Sequence, residues 1–311
     1  MSIVQLEHVR KVYDTKVAVA DLSLAIEPGT MFGLLGPNGS GKTSSIRMMI
    51  GMTVPDSGTV RLFDKPFTRD SLHRVGYLPE ERGLYKKMQV LEQLVFLGQL
   101  HGLSEAEARR RSLVWCERLQ ITAAIQKKTE ELSKGMQQKI QFIAALLHEP
   151  ELIIMDEPFS GLDPVNATLL EDTLVELRAE GRAILFSTHR MDQVEKLCDA
   201  IALIHNGNVV LSGSMRQVKS RYTRNRVRMS FTGRDSFLEH PSVASYKNYS
   251  GHVEIVLRDW QPGGEGTPSE PDAQPLLAAA VGAGARISRF EVMEPTLEDI
   301  FIEAVGGRTD A

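Results

Sequence analysis

Gly36-Pro37-Asn38-Gly39-Ser40-Gly41-Lys42-Thr43 follows the spacing G-x-x-x-x-G-K-[ST], the pattern of a phosphate-binding loop. Its flanks suit the motif. Met31-Phe32-Gly33-Leu34-Leu35 is a short apolar run that reads as a buried strand, and Ser44 to Ile50 reads as a helix ending near Gly51. Glycines at 36, 39 and 41 let the backbone bend without Cβ clashes and turn N–H groups inward. Those donors and the positive end of the following helix make a cradle for a polyphosphate. Lys42 is placed to reach the β- and γ-phosphates, and the Thr43 hydroxyl to ligate Mg²⁺.

A second stretch answers the first. Leu152-Ile153-Ile154-Met155-Asp156-Glu157 is an apolar run ending in two acids. It reads as a central parallel strand, and ligands bind at the carboxyl ends of such strands. Beside a phosphate loop, Asp156 is expected to hold Mg²⁺ through water, and Glu157 to orient and deprotonate an attacking water. Ala183 to Thr188 reads as another buried strand, which brings His189 to the same sheet edge.

Between these motifs the chain changes period. Residues 1–30 alternate apolar and polar, with turn signals at Asp14-Thr15 and Pro28-Gly29, as antiparallel strands do. Tyr13 lies among them, where a flat ring has room to stack on a base; an edge-strand aromatic needs no ligand to explain it. Val75 to Pro79 is a short strand, followed by the charged loop Glu80-Glu81-Arg82-Gly83. From Val90 the pattern is helical. Ser104 and Glu107 have capping-box spacing, and Ala108, Val114, Trp115 and Leu119 are the expected buried side of the helix they open. Ser133 is placed to cap a helix running to His148. Ser160 to Pro164 is a turn opening a further helix, and His205-Asn206-Gly207 a hairpin turn.

The 311 residues suffice for about two domains, and a hydrophobic content of 42% supports real cores. A net charge of −4 disfavours nucleic acid as a partner of the whole chain. The 2 cysteines, Cys116 and Cys198, have no partner motif and are expected as buried reduced thiols of a cytosolic protein. Met1 to Glu7 shows no leader pattern, and no apolar run approaches the ~20 residues of a membrane span. A basic stretch, Arg216 to Arg228, precedes a small α+β ending with strands near Val227 and Val253, a glycine-proline loop over 261–268, a helix at Leu276 to Val281, a last strand at Ile287 to Val292 and a helix capped by Thr296. The basic stretch suits a solvated linker or contact with an acidic partner surface or anionic lipid.

Together these residues resemble the ATP-binding subunit of an ABC transporter. The resemblance covers residues 1 to about 215, with the motifs in family order: Tyr13, the loop 36–43, the segment after Tyr77-Leu78-Pro79, Leu132-Ser133-Lys134-Gly135-Met136, Ile153 to Glu157, Ser160-Gly161-Leu162-Asp163 and His189. It implies a P-loop NTPase of the α/β class. A RecA-like core would carry an antiparallel β-subdomain and a helical insert at about 86–150, within an ATP-binding domain 1–215. A basic linker 216–224 and an α+β accessory domain 225–311 would follow, as on sodium-efflux and drug-efflux subunits.

The resemblance also implies ATP and Mg²⁺. Tyr13 would stack the adenine. Ser133 and Gly135 would bind the γ-phosphate held by a second protomer, Asp163 would lie at the dimer seam, and His189 would contact the γ-phosphate. The implied partners are a second copy or a similar subunit and an integral-membrane permease contacted near Tyr85 to Leu91, at the cytoplasmic face of the membrane. A soluble ATPase acting on nucleic acid or the ribosome is the rival. Two motifs depart from the family pattern, at three positions. Glu80 stands where glutamine is usual, and ionised glutamate accepts hydrogen bonds without donating. Lys134 and Met136 replace glycine and glutamine in the signature.

Overall fold

A computed structural model describes residues 2–81, 83–222, 226–258 and 273–306. Arg82, the whole of the glycine-proline loop and part of the basic stretch lie outside the described residues. The chain divides into two compact units, Met1–Met215 and Arg216–Ala311.

The first unit opens with an antiparallel pair, β1 (Val4–Tyr13) and β2 (Lys16–Ile26), joined through Asp14, whose φ of 51° is the left-handed value a tight turn needs. β3 (Met31–Leu35) leads through the glycine loop into α1 (Lys42–Met49). β4 (Ser57–Leu62) and β5 (Lys65–Pro66) extend the antiparallel part, and β6 (Val75–Leu78) returns the chain to the core. Two helices, α2 (Val90–Leu100) and α3 (Glu105–Arg118), pack together and lead to α4 (Lys134–Leu146). Then come β7 (Leu152–Asp156), α5 (Pro164–Ala179), β8 (Ala183–Thr188), α6 (Met191–Leu197), β9 (Ala200–His205) and β10 (Asn208–Ser214). The β9–β10 turn uses Asn206 and Gly207 at φ 49° and 76°, the mirror-image turn that Asn-Gly favours.

These strands form one 10-stranded sheet in the order β5-β4-β1-β2-β10-β9-β3-β8-β7-β6. The run β9-β3-β8-β7-β6 is parallel, and its strands are wholly or nearly wholly apolar because helices pack against it: α1 on β7, α4 on β6, α5 on β8 and α6 on β3. Alternation sorts the side chains. Phe32, Leu34, Ile154 and Leu185 join Ile46, Met48 and Met49 of α1 in one core. On the other face, a Cβ at Gly33 would stand 2.7 Å from Val194 of α6. Each fully buried Leu or Ile in these layers contributes about 1.5–3 kcal/mol.

The helical insert corrects two sequence expectations. Val114 is 55% exposed, and the buried side of α3 is Ala108, Ser112 and Cys116, with Leu119 just beyond its end. Ser104 Oγ accepts from Glu107 N, but the Glu107 carboxylate does not return the bond. Arg110 and Arg111 take it instead, at 2.7 and 2.6 Å, because two guanidinium donors outcompete one amide. Those donors hold the Glu107 carboxyl down at about 2. Both cysteines are free and buried.

α7 (Met215–Ser220) occupies much of the stretch read as linker, with Val218 buried. The second unit continues with β11 (Arg226–Thr232), β12 (Val243–Tyr249), β13 (His252–Leu257), α8 (Gln274–Gly282), β14 (Arg286–Met293) and α9 (Leu297–Gly306). Its sheet is antiparallel in the order β12-β13-β11-β14. Val227, Met229, Val253 and Ile255 face α8 residues Leu276 and Ala280 in a separate core. Thr296 Oγ1 caps α9 by accepting from Asp299 N.

One stacked histidine pair gives the first unit a pH dependence. His101 and His148 stack with ring centroids 3.8 Å apart, and the His148 Nε2 lies 3.0 Å from Val75 O. Burial, then the neighbouring His101, pushes the His148 pKa down to about 4, with His73 and Arg111 adding repulsion; burial also lowers that of His101. The folded state therefore binds fewer protons here than the unfolded chain, so stability is complete above the ordinary histidine value and is lost as pH falls towards 4. The thermal midpoint is expected to drop from pH 6.5 to pH 4.5 more steeply than in His148→Gln; parallel curves would show the pair titrates normally.

Candidate nucleotide site

The glycine loop is fixed by lack of space. At Gly36, φ 152°, a Cβ would stand 2.2 Å from Ile204 O of β9; at Gly41, φ 117°, it would stand 2.4 Å from Ala18 O of β2. The loop is wedged between two strands and tolerates no side chain at either point. Lys42 is the first residue of α1, and its buried ammonium donates to Gly36 O at 2.7 Å and Pro37 O at 3.2 Å. Burial pushes its pKa down, while the negative charges of Glu157, Asp156 and Glu80 oppose that shift.

A cleft of about 410 Å³ opens over the loop, lined by Tyr13, Lys16, Ala18, Asn38, Gly39, Gly41, Lys42, Thr43, Ser44, Glu80, Asp156 and Glu157. The structure thus brings the phosphate loop, both acids of β7, the loop glutamate and the aromatic residue to one place. Pro37 is exposed and Ser40 buried within the loop backbone. Lys16, Ala18 and Ser44 were not expected. Lys16 pairs with Tyr13 across the hairpin, a neighbour that the Asp14-Thr15 turn implies.

The two acids differ. Asp156 is 1% exposed; its Oδ1 accepts from the Ser187 hydroxyl, and its Oδ2 has no partner among the described residues. A buried carboxylate oxygen left so costs about 1–3 kcal/mol or more, unless a cation or donor meets it. With the Thr43 hydroxyl and the Glu80 carboxylate on the same cleft, the donor set is hard oxygen, which suits Mg²⁺. Glu157 has a φ of 50°, a left-handed conformation costing roughly 1–3 kcal/mol in a non-glycine residue. Its carboxylate is held from both sides: Oε2 accepts from the Thr188 hydroxyl at 3.1 Å, and Oε1 accepts from His189 N at 3.1 Å and lies 2.8 Å from His189 Nδ1. His189 itself stays 54% exposed, its ring held against the carboxylate.

Ser133, Gly135 and Asp163 do not line this cleft. Ser133 Oγ caps α4 by accepting from Met136 N, and Asp163 caps α5 by accepting from Asn166 N at 3.0 Å, a bond that holds its carboxyl below the usual value. Gly135 lies beside Leu162, with 3.4 Å from its would-be Cβ to Leu162 Cδ2. These three share a neighbourhood of their own.

The family model described as ABC transporter matches residues 19–160, and that of the ATP-binding protein DrrA1-3-like C-terminal domain matches residues 213–305. An ABC transporter ATP-binding protein of Bacillus subtilis (strain 168), YhaQ, is 42% identical over 302 residues, covering 97% of this chain and 98% of the relative. The chain belongs to the ATP-binding subunits of ABC transporters. The linearmycin resistance ATP-binding protein LnrL of the same organism is 31% identical over 310 residues, 98% of each chain. The Nod factor export ATP-binding protein I of Cupriavidus metallidurans is 36% identical over 220 residues, 70% of this chain and 73% of its own. A solved ATP-binding subunit of an ABC transporter superposes with a TM-score of 0.66 at 30% identity, over 71% of this chain and 93% of that one. As a member of this family, the subunit binds and hydrolyses ATP.

Lys42→Ala is expected to weaken nucleotide binding in calorimetry, since the loop then lacks its only side-chain cation in the cradle; unchanged affinity would contradict the geometry. Glu157→Gln should keep binding but slow turnover by about 10²–10⁴, the usual worth of a positioned general base. A steady-state rate near wild type would remove Glu157 from that role.

Proposed function

We propose that this subunit powers an export permease through MgATP-driven closure of two copies, each completing the other's site. The observation carrying this reading is the split between the two groups of site residues. The cleft gathers Tyr13, the loop residues Asn38, Gly39, Gly41, Lys42 and Thr43, Glu80, Asp156 and Glu157, whereas Ser133, Gly135 and Asp163 stand off it. Residues that cap helix N-termini are poised to donate backbone N–H groups to an anion, and Ser133 and Gly135 have no phosphate of their own to meet. A second copy facing head to tail supplies one.

In this arrangement Tyr13, 40% exposed at the cleft mouth, stacks on the adenine. The loop amides and Lys42, whose ammonium turns from Gly36 O and Pro37 O, hold the β- and γ-phosphates. Thr43, Asp156 and Glu80 are the residues that would hold Mg²⁺, Asp156 with its Oδ2, which has no partner among the described residues. Bound there, the cation neutralises charge on the phosphate oxygens. Glu157 takes the proton of the attacking water, and the products are ADP and inorganic phosphate. His189, packed on the Glu157 carboxylate, orients it and reaches the γ-phosphate with its exposed edge. The chemical work is positioning and charge stabilisation.

The export direction is supported by the Nod factor export and linearmycin resistance relatives. Among the described residues no helix is long and apolar enough to cross a membrane. The membrane path in this reading belongs to a separate permease. Its contact is placed at Tyr85 to Leu91, where Tyr85 is 52% exposed and packs edge-on against Phe96 at 5.8 Å. We read the subunit as peripheral to the cytoplasmic face of the membrane, with no nucleic-acid partner.

Ser133→Ala is expected to slow hydrolysis while leaving ATP binding to the monomer intact; equal loss of both would put Ser133 in its own chain's cleft. Glu157→Gln with saturating ATP should elute as a dimer on size-exclusion chromatography. A monomer under those conditions would defeat the two-copy reading. Co-purification with an integral-membrane protein from detergent extracts tests the permease; recovery with nucleic acid instead would favour the soluble rival.

A further inference from the structure

Glu80 stands at a junction. Before it, β6 is paired to β7 of the core sheet through Leu78. After it, the described backbone is held by the helical insert. Gln141 Nε2 of α4 donates to Glu81 O at 3.2 Å, Tyr85 N donates to Gln93 Oε1 of α2 at 3.1 Å, and Thr129 N donates to Met88 O at 3.1 Å. The Gln141 bond comes first, one residue beyond Glu80.

Gln141 is not there for packing. It is 6% exposed, between the buried apolar residues Ile140 and Phe142, and its Oε1 is buried without a partner among the described residues. Leaving that acceptor unsatisfied costs about 1–3 kcal/mol, which an apolar side chain of similar volume would avoid. What the amide supplies is, among the described residues, the one bond from α4, the helix that Ser133 caps, to the loop that carries Glu80.

We propose that Gln141 is a positioning residue for Glu80, tying the placement of that carboxylate in the nucleotide cleft to the placement of the signature helix α4. The proposal rests on the reading of Glu80 as a metal contact.

The test is a double-mutant cycle on divalent-metal affinity, read as Mn²⁺ binding by electron paramagnetic resonance on the full chain with a non-hydrolysable ATP analogue. Gln141→Met removes the donor and keeps the bulk; Gln141→Asn keeps the amide but is one methylene short of Glu81, and replaces Gln141→Met if that variant does not fold. Either is expected to weaken Mn²⁺ binding by about 3–10-fold, in the range of directly coupled neighbours, while the thermal midpoint of Gln141→Met stays level or rises. In a Glu80→Ala background the same change should produce no further loss. An equal loss in both backgrounds, or none with Glu80 present, overturns the proposal alone. If Glu80→Ala itself leaves Mn²⁺ affinity unchanged, the reading of Glu80 as a metal contact fails and the proposal falls with it.

Discussion

The loop that cradles phosphate has no freedom to be anything else. At Gly36 and Gly41 the backbone passes so close to carbonyls of β9 and β2 that a single added carbon would overlap them. β9 belongs to the parallel core, whereas β2 belongs to the antiparallel part, and the two parts join through β10, paired to β2 at Asn208 and Asp21. The cradle is therefore built where two halves of one sheet meet, and its shape depends on both. The same wedge fixes α1, whose buried Ile46, Met48 and Met49 carry the constraint into the core.

Across the cleft, β7 delivers two carboxylates that the surroundings set to different tasks. Asp156 is drawn inside, with one oxygen satisfied by Ser187 and the other without a partner among the described residues. Glu157 begins where the strand stops, and its left-handed backbone turns it out of the sheet. That conformation costs energy, offset by Glu157 N donating to Ser187 O and by the bonds its carboxylate accepts from residues at the end of β8. Because β7 and β8 are adjacent parallel strands, the donors arrive at the same height as the acid. A buried ammonium nearby, on Lys42, keeps three acids tolerable in one cleft, and they in turn favour its charge.

Much of this was legible in the amino-acid order. An octet of fixed spacing, an apolar run ending in two acids and a histidine closing another such run place themselves, because the strands bearing them are uniformly apolar and the sheet admits such strands only at its centre. The helical insert was less legible. Val114 reads as a buried residue by period, yet faces outward, because α3 turns Ser112 and Cys116 inward instead. Glu107 has the spacing of a cap but is claimed by two arginines that no local pattern ranks against a backbone amide. Lys16 is a partial case: the Asp14-Thr15 turn sets it opposite Tyr13, but only the fold shows that this end of the hairpin reaches the cleft.

The least legible residues are the glutamines of α4. In the sequence, Gln137, Gln138 and Gln141 look like the solvated side of a capped helix, and a polar residue every three or four positions invites that reading. In the fold Gln138 and Gln141 face inward, and each grips a carbonyl one residue beyond an acid of the cleft: Gln138 holds Pro158 O at 2.9 Å, next to Glu157, and Gln141 holds Glu81 O, next to Glu80. A helix that begins at Ser133 thus carries along its buried side the supports of both acids that flank the phosphate loop. Apolar residues there would fill the space as well, but they make no directional bond and would let the acids drift independently of the helix. Amides are what a helix needs if its own position is to be felt at the cleft, and these two bonds tie α4, which carries the signature segment, to the loops beside the nucleotide pocket.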